Sequence, residues 1–167
     1  MSDELKKENL IKLSLEGVRM EYPSQKPIIL LKEELGDRFL PIWVGAFEAS
    51  AIALEMIHYK TPRPMTHDLI IKILEKLDAH VESIIISEIK DDTFYAIMQL
   101  ILGKGKEEVE VDSRPSDAIA IAVRCNAPIY TTNKVIAEAG LLITSIEEEV
   151  EKFKDFLDHT NPEDFNI

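Results

Sequence analysis

The sequence predicts an α+β domain of mostly antiparallel sheet segments, packed with a buried central helix and flanking helices. Three observations predict it. Strand-type and helix-type segments come in blocks rather than in strict alternation, which favours α+β over a doubly wound α/β sheet. The first alternating segment changes parity at Glu16-Gly17, as a strand carrying a β-bulge does. A six-residue apolar run, Ala118 to Val123, lies in a helical pattern that is apolar nearly all round, as a buried helix requires.

The elements follow in order. Ile11, Leu13 and Leu15 alternate with polar residues; then Val18, Met20 and Tyr22 carry the pattern, because one extra residue flips everything after it. Residues 28–31 and 39–44 flank Glu34-Leu35-Gly36-Asp37, which reads as a hairpin turn. Residues 46–58 are alanine-rich, follow Gly45 and read as a helix. Thr66 reads as the N-cap of a helix to about Leu77, with Leu69, Ile70, Ile73, Leu74 and Leu77 at helical spacing. Residues 81–89 and 93–102 read as strands joined at Asp91-Asp92, and Gly103-Lys104-Gly105 turns the chain into a strand over 107–112.

Arg114-Pro115 opens the central helix, which runs to about Cys125. Residues 128–131 suggest a short strand, and 133–139 a short helix with Gly140 as its C-cap. Residues 146–157 form an acidic amphipathic pattern with Val150, Phe153, Phe156 and Leu157 on one side. The expected division is therefore a domain over 1–145 and an acidic helix and tail over 146–167.

Composition bounds the function. The 167 residues carry 31 acids and 19 basic residues, a net charge of −12. Residues 146–167 account for −6 of it. A strongly basic stripe is absent from the sequence, so tight nonspecific DNA binding would need a local basic patch or metal ions. One cysteine, Cys125, excludes an intramolecular disulfide and a cysteine-rich zinc module; it reads as a small buried hydrophobe. No apolar run approaches a membrane span, and the first residues lack a signal-peptide core, so a soluble cytoplasmic protein is expected. The bias to 22 Ile, 20 Glu and 14 Lys against two Gln is of the kind seen in heat-adapted proteins.

The densest chemistry lies at Val111-Asp112-Ser113-Arg114-Pro115-Ser116-Asp117-Ala118, where a strand gives way to the central helix. A helix start offers unpaired N–H groups and positive potential, suited to phosphate or carboxylate. Arg114 could add a forked contact, Ser113 and Ser116 further hydrogen bonds, and Asp112 with Asp117 could hold a divalent cation. The same residues also read as Ser113 or Ser116 capping the helix with Asp117 on its dipole. Arg63-Pro64-Met65-Thr66-His67-Asp68 echoes the arrangement, and His67 could act as a general base oriented by Asp68. Alternatively Thr66 is a cap, Asp68 supports the dipole and His67 is exposed. Glu48 and Glu55, seven apart on one helix, read as paired carboxylates or as helix support. Glu108, Glu110 and Asp112 share one strand face, either as metal ligands or as a wet surface.

Together, Leu40-Pro41-Ile42-Trp43-Val44-Gly45 before Glu48-Ala49, Arg63-Pro64 before Thr66-His67-Asp68-Leu69, the 112–118 stretch and Ala127-Pro128-Ile129-Tyr130 resemble the bifunctional nuclease domain family. The resemblance runs over about residues 10–139, and Ser-Arg-Pro-Ser-Asp-Ala is its most specific part. It implies a bacterial, single-domain member with an α+β fold and a nuclease label covering DNA and RNA. The resulting expectation is a metal-assisted phosphodiesterase. Asp112 and Asp117 hold Mg²⁺ or Mn²⁺, Arg114, Ser113 and Ser116 receive phosphate, and His67 and Asp68 move protons. The alternative is a non-catalytic module binding a small anion, a nucleotide or a protein partner. The aromatic face of the tail needs a cover, either its own domain or a second copy in a homo-oligomer.

Overall fold

Hairpins between sequence neighbours build most of the sheet. In the computed structural model, which describes residues 9–21, 24–103 and 107–142, the first is β1 (Leu10–Met20) against β2 (Pro27–Glu33). The pairing slips between Leu15 and Gly17, so the expected bulge is present. Gly17 has φ +150°, a backbone conformation that side chains resist. β2 turns through residues 34–37 into β3 (Arg38–Trp43), as the turn residues predict. Buried Glu33 clamps that turn, accepting from Arg38 Nε at 3.0 Å and Nη2 at 2.6 Å. The hydrogen bonds from Arg38 hold the Glu33 carboxyl below its usual range.

The second antiparallel block is β4 (Ala79–Lys90), β5 (Thr93–Leu102) and β6 (Glu107–Ser113). Asp91 and Asp92 both take positive φ in the tight turn between β4 and β5. β7 (Ile129–Thr132) joins the two blocks. It runs antiparallel to β1 and parallel to β4 in the eight-stranded order β6-β5-β4-β7-β1-β2-β3-β8. The edge strand β8 (Leu141–Leu142) has no counterpart among the predicted strands.

Four helices complete the described fold: α1 (Ala46–Met56), α2 (Thr66–Lys76), α3 (Pro115–Cys125) and α4 (Asn133–Ala139). The central helix α3 is buried over Pro115, Ser116 and Ala118–Ala122, as its all-round apolar pattern predicts. It packs with Ile29, Leu31, Leu40, Ile52, Ile84 and Ile86 in one core. Consecutive Ile84, Ile85 and Ile86 are all fully buried, so β4 is covered on both faces. α4 begins at Thr132, whose hydroxyl accepts from Val135 N–H at 3.2 Å, and ends at Gly140.

Two expectations, on the α2 cap and on Cys125, are corrected. Met65, not Thr66, is the N-cap of α2; Asp68, one turn in, accepts the Met65 N–H at 2.8 Å. The helical spacing expected for α2 is observed, with Leu69, Ile73 and the C-cap Leu77 about half exposed or more. Cys125 is only half-buried; burial pushes its thiol up. The predicted tail helix, the 145/146 boundary and Tyr22 lie outside the described residues. No helix among the described residues is long and apolar enough to cross a membrane.

Candidate functional site

α3 starts where β6 ends, and the starts of α1 and α2 converge on the same helix. Arg114 is the N-cap of α3, in extended conformation, and Pro115 occupies the first turn. No side chain caps this helix, so neither Ser113 nor Ser116 takes the expected capping role. Ser113 turns back to the sheet and donates to the Ala96 carbonyl at 3.4 Å. Pro115 has no N–H, and the Asp117 and Ala118 amides donate to the Arg114 carbonyl. Ser116 sits buried between them.

Arg114 is held from two sides. Its Nε donates to Asp117 Oδ2 at 2.7 Å and its Nη2 to Asp117 Oδ1 at 3.2 Å. Its Nη1 donates to Glu48 Oε1, from α1, at 3.0 Å. A guanidinium has five N–H donors, so these three bonds leave two unspent. The Arg114 side chain is 65% exposed. Glu48 itself folds back over the α1 N-cap Gly45, where a Cβ would collide with its carboxylate.

Behind Arg114 stands His67, with a side chain only 12% exposed, whose Nε2 lies 3.2 Å from Asp117 Oδ1. Burial pushes the Asp117 carboxyl up, but the hydrogen bonds from Arg114 and His67 outweigh it and hold the group below its usual range. His67 is thus oriented by Asp117 rather than by the adjacent Asp68. Asp68 is committed to Arg124 near the other end of α3: Arg124 Nε reaches Asp68 Oδ1 at 2.6 Å. Arg124 Nη1 and Nη2 donate to the Ala120 and Ala51 carbonyls at 2.7 and 3.0 Å. Burial raises the Asp68 carboxyl, and the Arg124 and Met65 hydrogen bonds more than reverse this.

An open cleft of about 300 Å³ lies before Arg114. Glu48, Arg114 and Ser116 line it together with Trp43, Thr93 and Phe94. Asp117 and His67 stand behind this lining and do not face the cleft directly. Glu48 and Glu55 part company, Glu55 lining a different groove.

A divalent cation needs several oxygens converging on one point. Among the described residues no three His, Cys, Asp or Glu side chains gather that way. Asp117 already gives both oxygens to Arg114. Asp112 is exposed with Glu108 and Glu110 on the wet side of β6, while Ser113 alternates to the other side. As arranged, the Asp112–Asp117 pair does not fit a cation.

Residues 29–144 match the family model of the bifunctional nuclease domain. The chain belongs to the bifunctional nuclease domain family. An uncharacterized protein of Mycobacterium tuberculosis is 45% identical over 159 residues, covering 89% of this chain and 94% of its own length. Bifunctional nuclease 1 of Arabidopsis thaliana is 30% identical over 118 residues, 70% of this chain but 36% of the plant protein. Bifunctional nuclease 1 of Oryza sativa subsp. indica is 29% identical over 117 residues, again 70% of this chain and 35% of the relative. The shared region holds every residue of the Glu48–Arg114–Asp117–His67 cluster within the family match.

The motifs weigh Glu48 only against Glu55 or the helix start, and they do not mark Arg124. An early-helix glutamate is usually explained by the helix itself. A lone arginine at the end of an apolar helix reads as a dipole partner. Only the packing of α1 and α2 on α3 reveals their partners.

Proposed function

We propose that the chain hydrolyses phosphodiester bonds of DNA or RNA at the cleft before Arg114. The observation that carries this reading is Arg114 itself, fixed by two carboxylates at the lip of an open cleft with two donors unspent. A guanidinium so fixed meets a phosphate bidentately without reorganising. Ser116 adds its hydroxyl and the N–H of the second helical position.

In this scheme water adds to phosphorus and the bond to the leaving nucleoside oxygen breaks. Glu48, which lines the cleft, takes the proton from the attacking water. The leaving oxygen is protonated from solvent, since the cleft is open. Asp117 and His67 act as positioning residues that hold the guanidinium plane. No step is assigned to Mg²⁺ or Mn²⁺, since Asp117 gives both carboxylate oxygens to Arg114. The family membership and the name shared by the plant relatives support the reaction class.

The test is cleavage of single- and double-stranded DNA and RNA, each with Mg²⁺, Mn²⁺ or chelator. Arg114→Ala and Glu48→Gln are purified in parallel as contamination controls. Loss of cutting by about 10²-fold or more in Arg114→Ala is expected, the scale of removing one pre-positioned charge donor. Equal cutting by all three proteins sinks the assignment. No cutting by any, with phosphate binding that depends on Arg114, would select a non-catalytic anion-binding module.

A further inference from the structure

A second groove, of about 510 Å³, runs along the connection between α1 and α2 and shares no lining residue with the cleft before Arg114. Lys60, Arg63, Lys72 and Arg124 line it, against the carboxylates of Glu55 and Asp68. Arg124 and Asp68 are spent on each other. Lys60, Arg63 and Lys72 are exposed, and among the described residues none of them has a carboxylate within ion-pair distance. Three unpaired cations gathered in one groove stand out in a chain of net charge −12. They form the local basic patch that the sequence, read linearly, does not display.

Tyr59, 58% exposed, lines the same groove. Pro62 and Pro64 flank Arg63, and the Thr61 hydroxyl donates to the Arg63 carbonyl at 2.6 Å, so the segment carrying the charges is conformationally restricted. An exposed aromatic face beside cations spaced along a groove is the combination that takes unpaired bases and their backbone. A duplex buries its bases and offers nothing to Tyr59.

We propose that this groove binds the phosphodiester backbone of single-stranded nucleic acid, holding a strand whose continuation reaches the cleft before Arg114. The link to the cleft rests on the phosphodiesterase reading; the binding does not. Arg114 and Arg124 lie about 15 Å apart along α3, a span that a few nucleotides of extended strand cover.

The experiment measures fluorescence anisotropy of a labelled oligothymidylate in chelator, over a salt series, with the full chain. The variant is Lys60→Ala/Arg63→Ala/Lys72→Ala, and the control is Lys26→Ala/Lys134→Ala, two exposed lysines elsewhere. The groove variant is expected to bind about tenfold or more weakly and to lower the salt slope by about 2, the value for three lost phosphate contacts on a single strand. The control is expected to stay within about twofold of wild type. A glutamine triple variant repeats the measurement with side-chain bulk kept, and urea midpoints check that each protein is folded.

Wild-type affinity retained in both triple variants overturns the proposal. So does an equal loss in the control, an absence of binding by the wild type at low salt, or tighter binding of a duplex than of the single strand. Binding lost in the groove variant while no protein cleaves supports the groove and removes the phosphodiesterase reading. Cleavage that depends on Arg114 with unchanged binding in the groove variants does the reverse.

Discussion

Each end of α3 carries an arginine paired with an aspartate, and the two pairs are finished differently. Arg124 is 6% exposed and delivers its donors to Asp68 and two backbone carbonyls, drawing α1, α2 and α3 together. Arg114 makes a similar set of bonds, to Asp117 and Glu48, yet is 65% exposed and opens on a cleft. The difference teaches that the same kind of pair can close a junction or leave a charge exposed. One arginine is consumed in holding the helices, and the other, held from two sides, stays open to a cleft. His67 and Asp68, adjacent at the start of α2, divide between the two pairs and tie them into one assembly.

The largest effect is expected at the buried pair. Arg124→Ala should destabilise the chain by about 3 kcal/mol or more, because it removes the buried cation that pairs with Asp68 and ties α1 and α2 to α3. Urea unfolding checks it, and a loss under about 1 kcal/mol would break the contrast between the two ends. Arg114→Ala should do the opposite, costing about 1 kcal/mol or less of stability while removing about 10²-fold of any phosphodiesterase activity. A stability loss as large as that of Arg124→Ala would make both pairs structural.

Acid sharpens the comparison further. Asp68 and Asp117 both have carboxyls held below their usual range. The stability each contributes is present above the unfolded value, about pH 4, and lost as pH falls through the folded value. Asp68→Asn and Asp117→Asn should therefore each flatten the acid limb of urea midpoint against pH, Asp68→Asn more, since its partner is the buried arginine. A limb unchanged in both variants would mean that the pairs contribute no linkage. The smallest effect is expected at Asp112→Ala, within about ±0.5 kcal/mol of wild type, with activity unaltered. An activity loss matching Arg114→Ala would restore Asp112 as a ligand.

Much of this architecture was legible in local pattern. The parity switch at Gly17, the turn at Asp91-Asp92 and the all-round apolar face of α3 are each written within a few residues, and each is observed. The family resemblance, read over about residues 10–139, overlaps the family match over 29–144. What local pattern could not carry were contacts between distant segments. Glu48 meets Arg114, Asp68 meets Arg124, and β7 lies parallel to β4 only because α3 carries the chain there. The serines near Arg114 illustrate the reason. Their type suits a cap, but tertiary packing turned Ser113 to the sheet and left the helix start uncapped.

β7 also decides how such a chain must assemble. The blocks β1-β2-β3 and β4-β5-β6 close through hairpins that need only neighbouring residues. Their union waits for four residues, Ile129–Thr132, to enter between β1 and β4, where Leu10 meets Thr132. That step closes most of the described chain into one long loop, and closing long loops is what costs chain entropy and slows folding. Folding speed is therefore expected to hinge on this seam, and synthesis on the ribosome must pass residue 132 before either half of the sheet has a neighbour to lean on.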